Sequence, residues 1–341
     1  MAPFEKIKRL YYVYLSALMI SFNTLGSEFH LKVVDVGSGL CIVAKNTEGF
    51  TMLYDTGHWI GNHCYTGIKE YIDSDVINLL VLSHMDADHI GNTSQILSDY
   101  EVKTIIHTGY KRPRRKVWRK TMSAISEQSK HGASVISLAT SSMKKGHTFH
   151  LGSTKVKFLL GSHSWSQNNL SEPEKRNALS IVMQIQHNDK SILLTGDMVG
   201  RNINSTDETC IASEKLLIDT YLLEEITSDI IIAPHHGANN ASSNCLLRSV
   251  SPTYALFSAG HRHSHPRRNT IKRYMDFGVS PYNIFRTDRG DDEGIKESKL
   301  ERIINCIDGP GDDDILISIN NAKKIKVAYV NPNNTCTKYK Q

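Results

Sequence analysis

The sequence predicts an α/β fold, a layered sheet sandwich with helices on its outer faces, and three observations point to it. Short apolar runs rich in Val, Ile and Leu recur between turn residues. They fall into two groups, each made of strands followed by helices. Histidines and carboxylates sit just past the C-terminal ends of several runs, where a sheet edge can gather them. With 341 residues, 40% of them hydrophobic, the chain can bury a full core, and a charged fraction of 22% is that of a globular protein, which excludes a disordered polymer.

The elements follow in order. Lys6, Lys8 and Arg9 precede an apolar run over residues 10–22, and Asn23-Thr24-Leu25-Gly26 offers small residues for cleavage. Residues 1–26 therefore read as a secretory signal peptide, with residues 27–341 as one domain in a secreted or periplasmic location. An uncleaved anchor is the second reading, but thirteen residues fall short of the roughly twenty that span a bilayer, and no later segment is long and apolar enough. Residues 30–36 and 39–45 read as a strand pair around Gly37-Ser38-Gly39, and 50–55 as a third strand. Residues 76–83 form a strand, 90–100 a helix, 102–107 a strand and 118–130 a helix. Residues 155–160, 180–187 and 191–195 read as a second meander. Residues 213–225 follow as a helix, 229–233 and 253–258 as strands, 267–277 as a helix, and 315–319 and 325–330 as the last strands. The polar span 162–176 reads as one long surface loop.

All six cysteines lie beyond residue 26, and export permits disulfides. Cys41, in the apolar strand, reads as a buried free thiol. Cys306 and Cys336 bracket the last two strands, and a disulfide between them would close that hairpin region. The whole chain carries +5, and +3 without residues 1–26. One decapeptide, KRPRRKVWRK, holds Lys111, Arg112, Arg114, Arg115, Lys116, Arg119 and Lys120, so the rest of that domain is net negative at −4. Charge this concentrated reads as a patch for an anionic partner, with a solvated helix or a lipid-headgroup patch as the plainer alternatives.

The most informative stretch is LLVLSHMDADHIGN, residues 79–92. A buried strand ends and His84, Asp86, Asp88 and His89 follow within six residues. This donor set suits one or two divalent ions, zinc first, with manganese or iron where carboxylate replaces imidazole. Such a site needs partners from other strand ends. Asp197 follows the strand over 191–195, and His235 and His236 follow the strand over 229–233.

The motif resembles the His-x-His-x-Asp-His signature of the metallo-β-lactamase superfamily, with Asp86 at the second histidine. It is most similar to the metallo-β-lactamase-like domain of ComEC-type DNA-uptake proteins. The matching pieces, in order, are LKVVDVGSG, YDTG, HMDADHIGN, NALSIV, LLTGD, IAPHHG, SHP and FRTD. The resemblance implies an αββα sandwich, with Asp197 bridging two cations and His235, ahead of His236, joining Asp88 and His89 on the second metal. His236 and Asp55 are then expected to orient ligands from behind. The third histidine that many members supply is replaced by Asn177, a poor zinc ligand, so the metal position built on His84, Asp86 and Asp197 is expected to be the weaker one.

The implied chemistry is hydrolysis by metal-activated water with Asp88 as proton acceptor, and no GxSxG or Cys/His pair competes as nucleophile. His265 in SHP has three open roles: proton donor to a leaving oxygen, phosphate contact, or loop histidine held by Pro266. With Tyr110 and Trp118 among the cations, the basic segment favours a nucleic-acid phosphodiester. Hydrolysis of another ester, thioester or lactam is the enzymatic alternative, and a non-catalytic nucleic-acid-binding module is the alternative of a different class.

Overall fold

The computed structural model describes residues 27–331, apart from 142, 167–168, 204–209, 261–262, 264, 289–310 and 312. The expected signal peptide and the expected Cys306–Cys336 pair lie outside the described residues. The first half contributes β1 (Phe29–Val33), β2 (Cys41–Asn46), β3 (Thr51–Thr56), α1 (His63–Lys69), β4 (Val76–Leu82), α2 (Thr93–Asp99), β5 (Glu101–His107), α3 (Lys116–Lys130) and β6 (Ser134–Ser137). The second contributes β7 (Thr148–Leu151), β8 (Thr154–Leu160), α4 (Glu172–Asn177), β9 (Val182–His187), β10 (Lys190–Leu194), α5 (Ala212–Thr220) and α6 (Leu223–Ile226). It continues with β11 (Ile230–Ile232), α7 (Asn244–Val250), β12 (Tyr254–Phe257), α8 (Arg268–Asp276) and β13 (Ile284–Arg286). Two final strands, β14 (Ile315–Ile319) and β15 (Ile325–Tyr329), return to the first sheet. One sheet has eight strands in the order β15-β14-β1-β2-β3-β4-β5-β6, and the other seven in the order β13-β12-β11-β10-β9-β8-β7.

The layering follows from strand periodicity. In β4, Leu79 and Val81 face the other sheet and join a core with Val156, Met183, Ile192, Ile232 and Leu256. Their neighbours Leu80 and Leu82 point the other way and pack with Ile68, Ile96 and Ile125 from α1, α2 and α3. The second sheet does the same, with Leu193, Ile231 and Ala255 against Leu217, Leu247 and Ile271 of α5, α7 and α8. Three apolar layers thus separate helices, sheet, sheet and helices, the expected αββα sandwich. Burial on both faces explains why these strands read as continuous apolar runs.

Three expectations need correction. Cys41 is not a free thiol but is bonded to Cys64, with Cα atoms 5.8 Å apart, tying the start of β2 to α1. Cys210 is likewise bonded to Cys245 of α7. The span 162–176 is not one loop, because it leads into α4, where Ser171 and Glu174 form a reciprocal capping box and Pro173 stands in the first turn. The helix expected over 213–225 is divided into α5 and α6, because Tyr221 is extended.

Candidate metal centre

Parallel strands β3 to β6 in one sheet and β10 to β13 in the other end on the same edge of the sandwich. Side chains just past strand carboxyl ends converge there. Asp55 comes from β3, Ser83 to His89 from the turn after β4, Asp197 from beyond β10, and His235 and His236 from beyond β11. Close backbone approach fixes the turns. A Cβ at Gly91 would lie 2.3 Å from the Trp59 nitrogen, and one at Gly39 2.6 Å from the Asp88 carbonyl oxygen. His235 and His236 both adopt left-handed backbone, at φ 52° and 55°. Strain of this kind, on the order of 1–3 kcal/mol per residue, persists where surrounding structure over-determines it and clusters at functional sites.

The hydrogen bonds behind the rings set their tautomers. His89 Nδ1 donates to Asp55 Oδ2 at 2.7 Å, and His236 Nδ1 donates to the Ser258 carbonyl at 2.8 Å. The Ser83 hydroxyl donates to Asp55 at 2.6 Å and so accepts from His84 Nδ1 at 3.1 Å. Each ring therefore turns Nε2 inward. His89 Nε2 lies 3.3 Å from His236 Nε2 and 3.2 Å from Asp197 Oδ1, and His236 Nε2 lies 3.5 Å from the same oxygen. His84 Nε2 and Asp197 Oδ1 are buried without a hydrogen bond of adequate geometry. Nitrogen lone pairs this close, beside an unsatisfied carboxylate oxygen, call for a cation between them. Two overlapping donor sets result, His84 with His89 and Asp197, and Asp88 with His89 and His236. These residues fit a divalent metal ion.

Electrostatics agrees with the geometry. Burial pushes the His84 and His236 rings below the ordinary imidazole range. Burial also opposes charge on His89, but Asp197 and Asp55 outweigh it and push that ring well above the usual range. For Asp197 burial is outweighed by His89, His236 and His235, which hold the carboxyl well below the usual range. Asp88 follows the same pattern, with His89 the main stabilising neighbour. The neighbouring carboxylates thus favour positive charge at His89, the place where a metal ion would supply it.

The remaining expected residues sit elsewhere. Asp86 turns away from the donor sets and pairs with Arg112 and, at 3.1 Å, with Arg176. His235, favoured from the sequence over His236, uses both ring nitrogens, donating from Nδ1 to Asn240 at 2.7 Å and accepting at Nε2 from Asn177 at 3.1 Å. Among the described residues His236, not His235, lies in a candidate donor set, and His235 faces Asn177 of α4. Asp55 is hydrogen-bonded to His89 Nδ1. The ring of His265 is 5.8 Å from that of His235 and stacks on His236, and burial lowers its pKa to about 2, with the two histidines adding to the effect.

A groove of about 1070 Å³ leads to Asp86 and Asp88. Of the seven basic residues, Arg112, Arg115, Lys116 and Lys120 line it, while Lys111, Arg114 and Arg119 are exposed outside it. Trp118, expected to stack a base, donates its indole N–H to the Tyr110 carbonyl, and both rings pack on the outer core. The exposed aromatic on the groove is Trp59, which sequence reasoning passed over, as it did Arg176 and Ser83.

Residues 34–261, more than half of the chain, match the metallo-beta-lactamase superfamily. The chain belongs to that superfamily. Among curated proteins this member is 28% identical to recombination protein 2 of Haemophilus influenzae over 68% of its own length and 24% of that protein. It is 21% identical to ComE operon protein 3 of Bacillus subtilis over 80% of its length and 33% of that protein. It is 24% identical to competence protein ComA of Neisseria gonorrhoeae over 77% and 31%. The chain spans about a quarter to a third of these relatives. Among solved structures it is similar to the metallo-beta-lactamase fold protein YhfI from Bacillus subtilis, at 11% identity and TM-score 0.44 over 75% of this chain and 95% of that one. Among the described residues no helix is long and apolar enough to cross a membrane.

Proposed function

We propose that this chain is a metal-dependent hydrolase of phosphodiesters, with nucleic acid as its substrate class. The observation that carries the reading is the groove, which joins Arg115, Lys116, Lys120 and the exposed Trp59 to Asp88 at the edge of the donor sets. Cations along such a groove hold a phosphate backbone, and an exposed indole stacks an unpaired base. His84, His89, His236, Asp88 and Asp197 would hold the ion, zinc or manganese. When bound, it lowers the pKa of water towards about 7 and offsets charge on the attacked group.

The chain's own residues do the rest. Asp55 fixes His89, and Ser83 links Asp55 to His84, so two ligand positions share one buried anchor. Asp88, the donor carboxylate that lines the groove, is placed to accept a proton from an incoming nucleophile. Burial and the neighbouring histidines disfavour charge on His265, which favours a hydrogen-bonding role for it over that of proton donor. The competence and recombination proteins among the relatives support nucleic acid over lactam. Disulfides Cys41–Cys64 and Cys210–Cys245 support an oxidising compartment, and with it the exported reading of residues 27–341.

The test is a substrate panel on purified protein loaded with zinc or manganese. It includes a small phosphodiester, single-stranded DNA and RNA, a thioester and a lactam, each repeated with Asp88→Ala. Phosphodiester cleavage that disappears in the variant is expected. Turnover of the lactam or thioester alone would replace the reading with that alternative, and nucleic-acid binding with no turnover would leave a binding module.

A further inference from the structure

The donor cluster has a second, differently built flank. Asp86 faces the groove with two guanidinium groups on one carboxylate. Arg112 comes from the basic segment after β5, and Arg176 from the last turn of α4, ninety residues along the chain from Asp86. Arg176 engages in fork fashion, Nε to Oδ1 at 3.1 Å and Nη2 to Oδ2 at 3.4 Å, and Arg112 also reaches the Met85 carbonyl at 3.4 Å. Among the described residues neither arginine has another carboxylate partner, so the trio carries one net positive charge. All three side chains are partly open to solvent, at 15%, 19% and 21% exposure for Arg112, Arg176 and Asp86.

A cation placed against Asp86 would meet two guanidiniums at hydrogen-bond range of the same carboxylate, and like charges disfavour it there. The ligands expected with it, His84 and Asp197, gather with His89 in the deep donor set, which does not include Asp86. An anion is favoured instead, because each guanidinium has five N–H donors and the carboxylate does not use them all. We propose that Arg112 and Arg176, held in place by Asp86, stand in for one of two metal ions. The chain then binds one divalent ion in the deep donor cluster and takes an anionic phosphate oxygen on the arginine pair beside it. This rests on the phosphodiesterase reading for the identity of the anion, but its test does not use turnover.

The experiment is native mass spectrometry of the full chain titrated with Mn²⁺ and Zn²⁺, with calorimetric binding of inorganic phosphate to the metal-loaded protein. One tightly bound ion per chain is expected, unchanged in Asp86→Asn. Arg112→Gln/Arg176→Gln should weaken phosphate binding at least tenfold with the ion retained. Arg176→Lys, which keeps the charge and loses the fork, should fall between, and it serves if the double variant does not fold. Two ions in the wild type with one lost in Asp86→Asn would overturn the proposal, as would phosphate affinity unchanged in the arginine variants. A protein that passes both tests yet cleaves no phosphodiester would overturn the functional reading and leave the clamp standing.

Discussion

The two flanks of the donor cluster start from the same six-residue turn and end with opposite chemistry. On the Asp88 flank, His84, His89 and His236 each donate from Nδ1 to a partner behind them and keep Nε2 turned inward. On the Asp86 flank the polar groups facing one another already have protein partners: Asp86 has two arginines, Asn177 has His235, and His235 has Asn177 and Asn240. Residue type alone does not make a ligand. What decides is whether the lone pair is left unclaimed by the fold, and on the Asp88 flank a buried, unclaimed lone pair costs free energy until a cation arrives.

The largest effect that sharpens this comparison is expected for His89→Ala. It removes the nitrogen shared by both donor sets and leaves the Asp55 carboxylate buried without its charged partner. Loss of metal binding and a stability loss of about 3–5 kcal/mol are expected, read by elemental analysis and chemical denaturation. Asp88→Ala should lower metal affinity by more than about 100-fold with a smaller effect on stability, because its side chain is 30% exposed. Asp55→Asn should cost about 10–100-fold in metal affinity, the range for a group that orients a ligand. His235→Ala should change affinity by less than about tenfold, and a drop as large as that of Asp88→Ala would break the comparison.

Acid stability needs its own control. His107, at the end of β5, is buried and accepts from the Gly109 N–H at 3.1 Å, and burial lowers its pKa to about 4. Its ring titrates near its ordinary value when unfolded, so the stability it contributes is full above about pH 6.5 and is lost as pH falls towards 4. The expected loss is about 3 kcal/mol, and it should vanish in His107→Gln. Metal affinities of the two flanks are therefore best compared above pH 6.5. The smallest effect concerns the groove wall. Changing Arg115, Lys116 and Lys120 to glutamine should weaken single-stranded DNA binding and flatten its salt dependence by roughly 0.7 per lost phosphate contact, whereas glutamines at Lys111 and Arg114 should do little.

Much of this architecture was legible in the sequence. Strand runs such as LLVL are buried on both faces, and a turn that crowds two histidines and two aspartates has few other uses, so both the sandwich and the cluster could be read directly. The order of His235 and His236 could not, because it depends on a left-handed backbone that non-glycine residues rarely adopt. Arg176 was hidden in a polar span, although Ser171-x-x-Glu174 followed by Arg176 and Asn177 is a helix-start signal that could have exposed α4. The Cys41–Cys64 bond needed α1, a seven-residue helix too short for periodicity to show. Trp59 lies between strand and helix, where exposure is set by the neighbouring chain and leaves no local pattern.

The central claim is an asymmetric centre, one metal ion on the Asp88 flank and fixed guanidinium charge on the other. X-ray absorption spectroscopy of the zinc-saturated chain tests it most directly. The expected spectrum has an imidazole-rich nitrogen and oxygen shell and no metal–metal scattering. A metal–metal vector of about 3.5–4 Å, the separation of two-metal hydrolytic sites, would contradict the account.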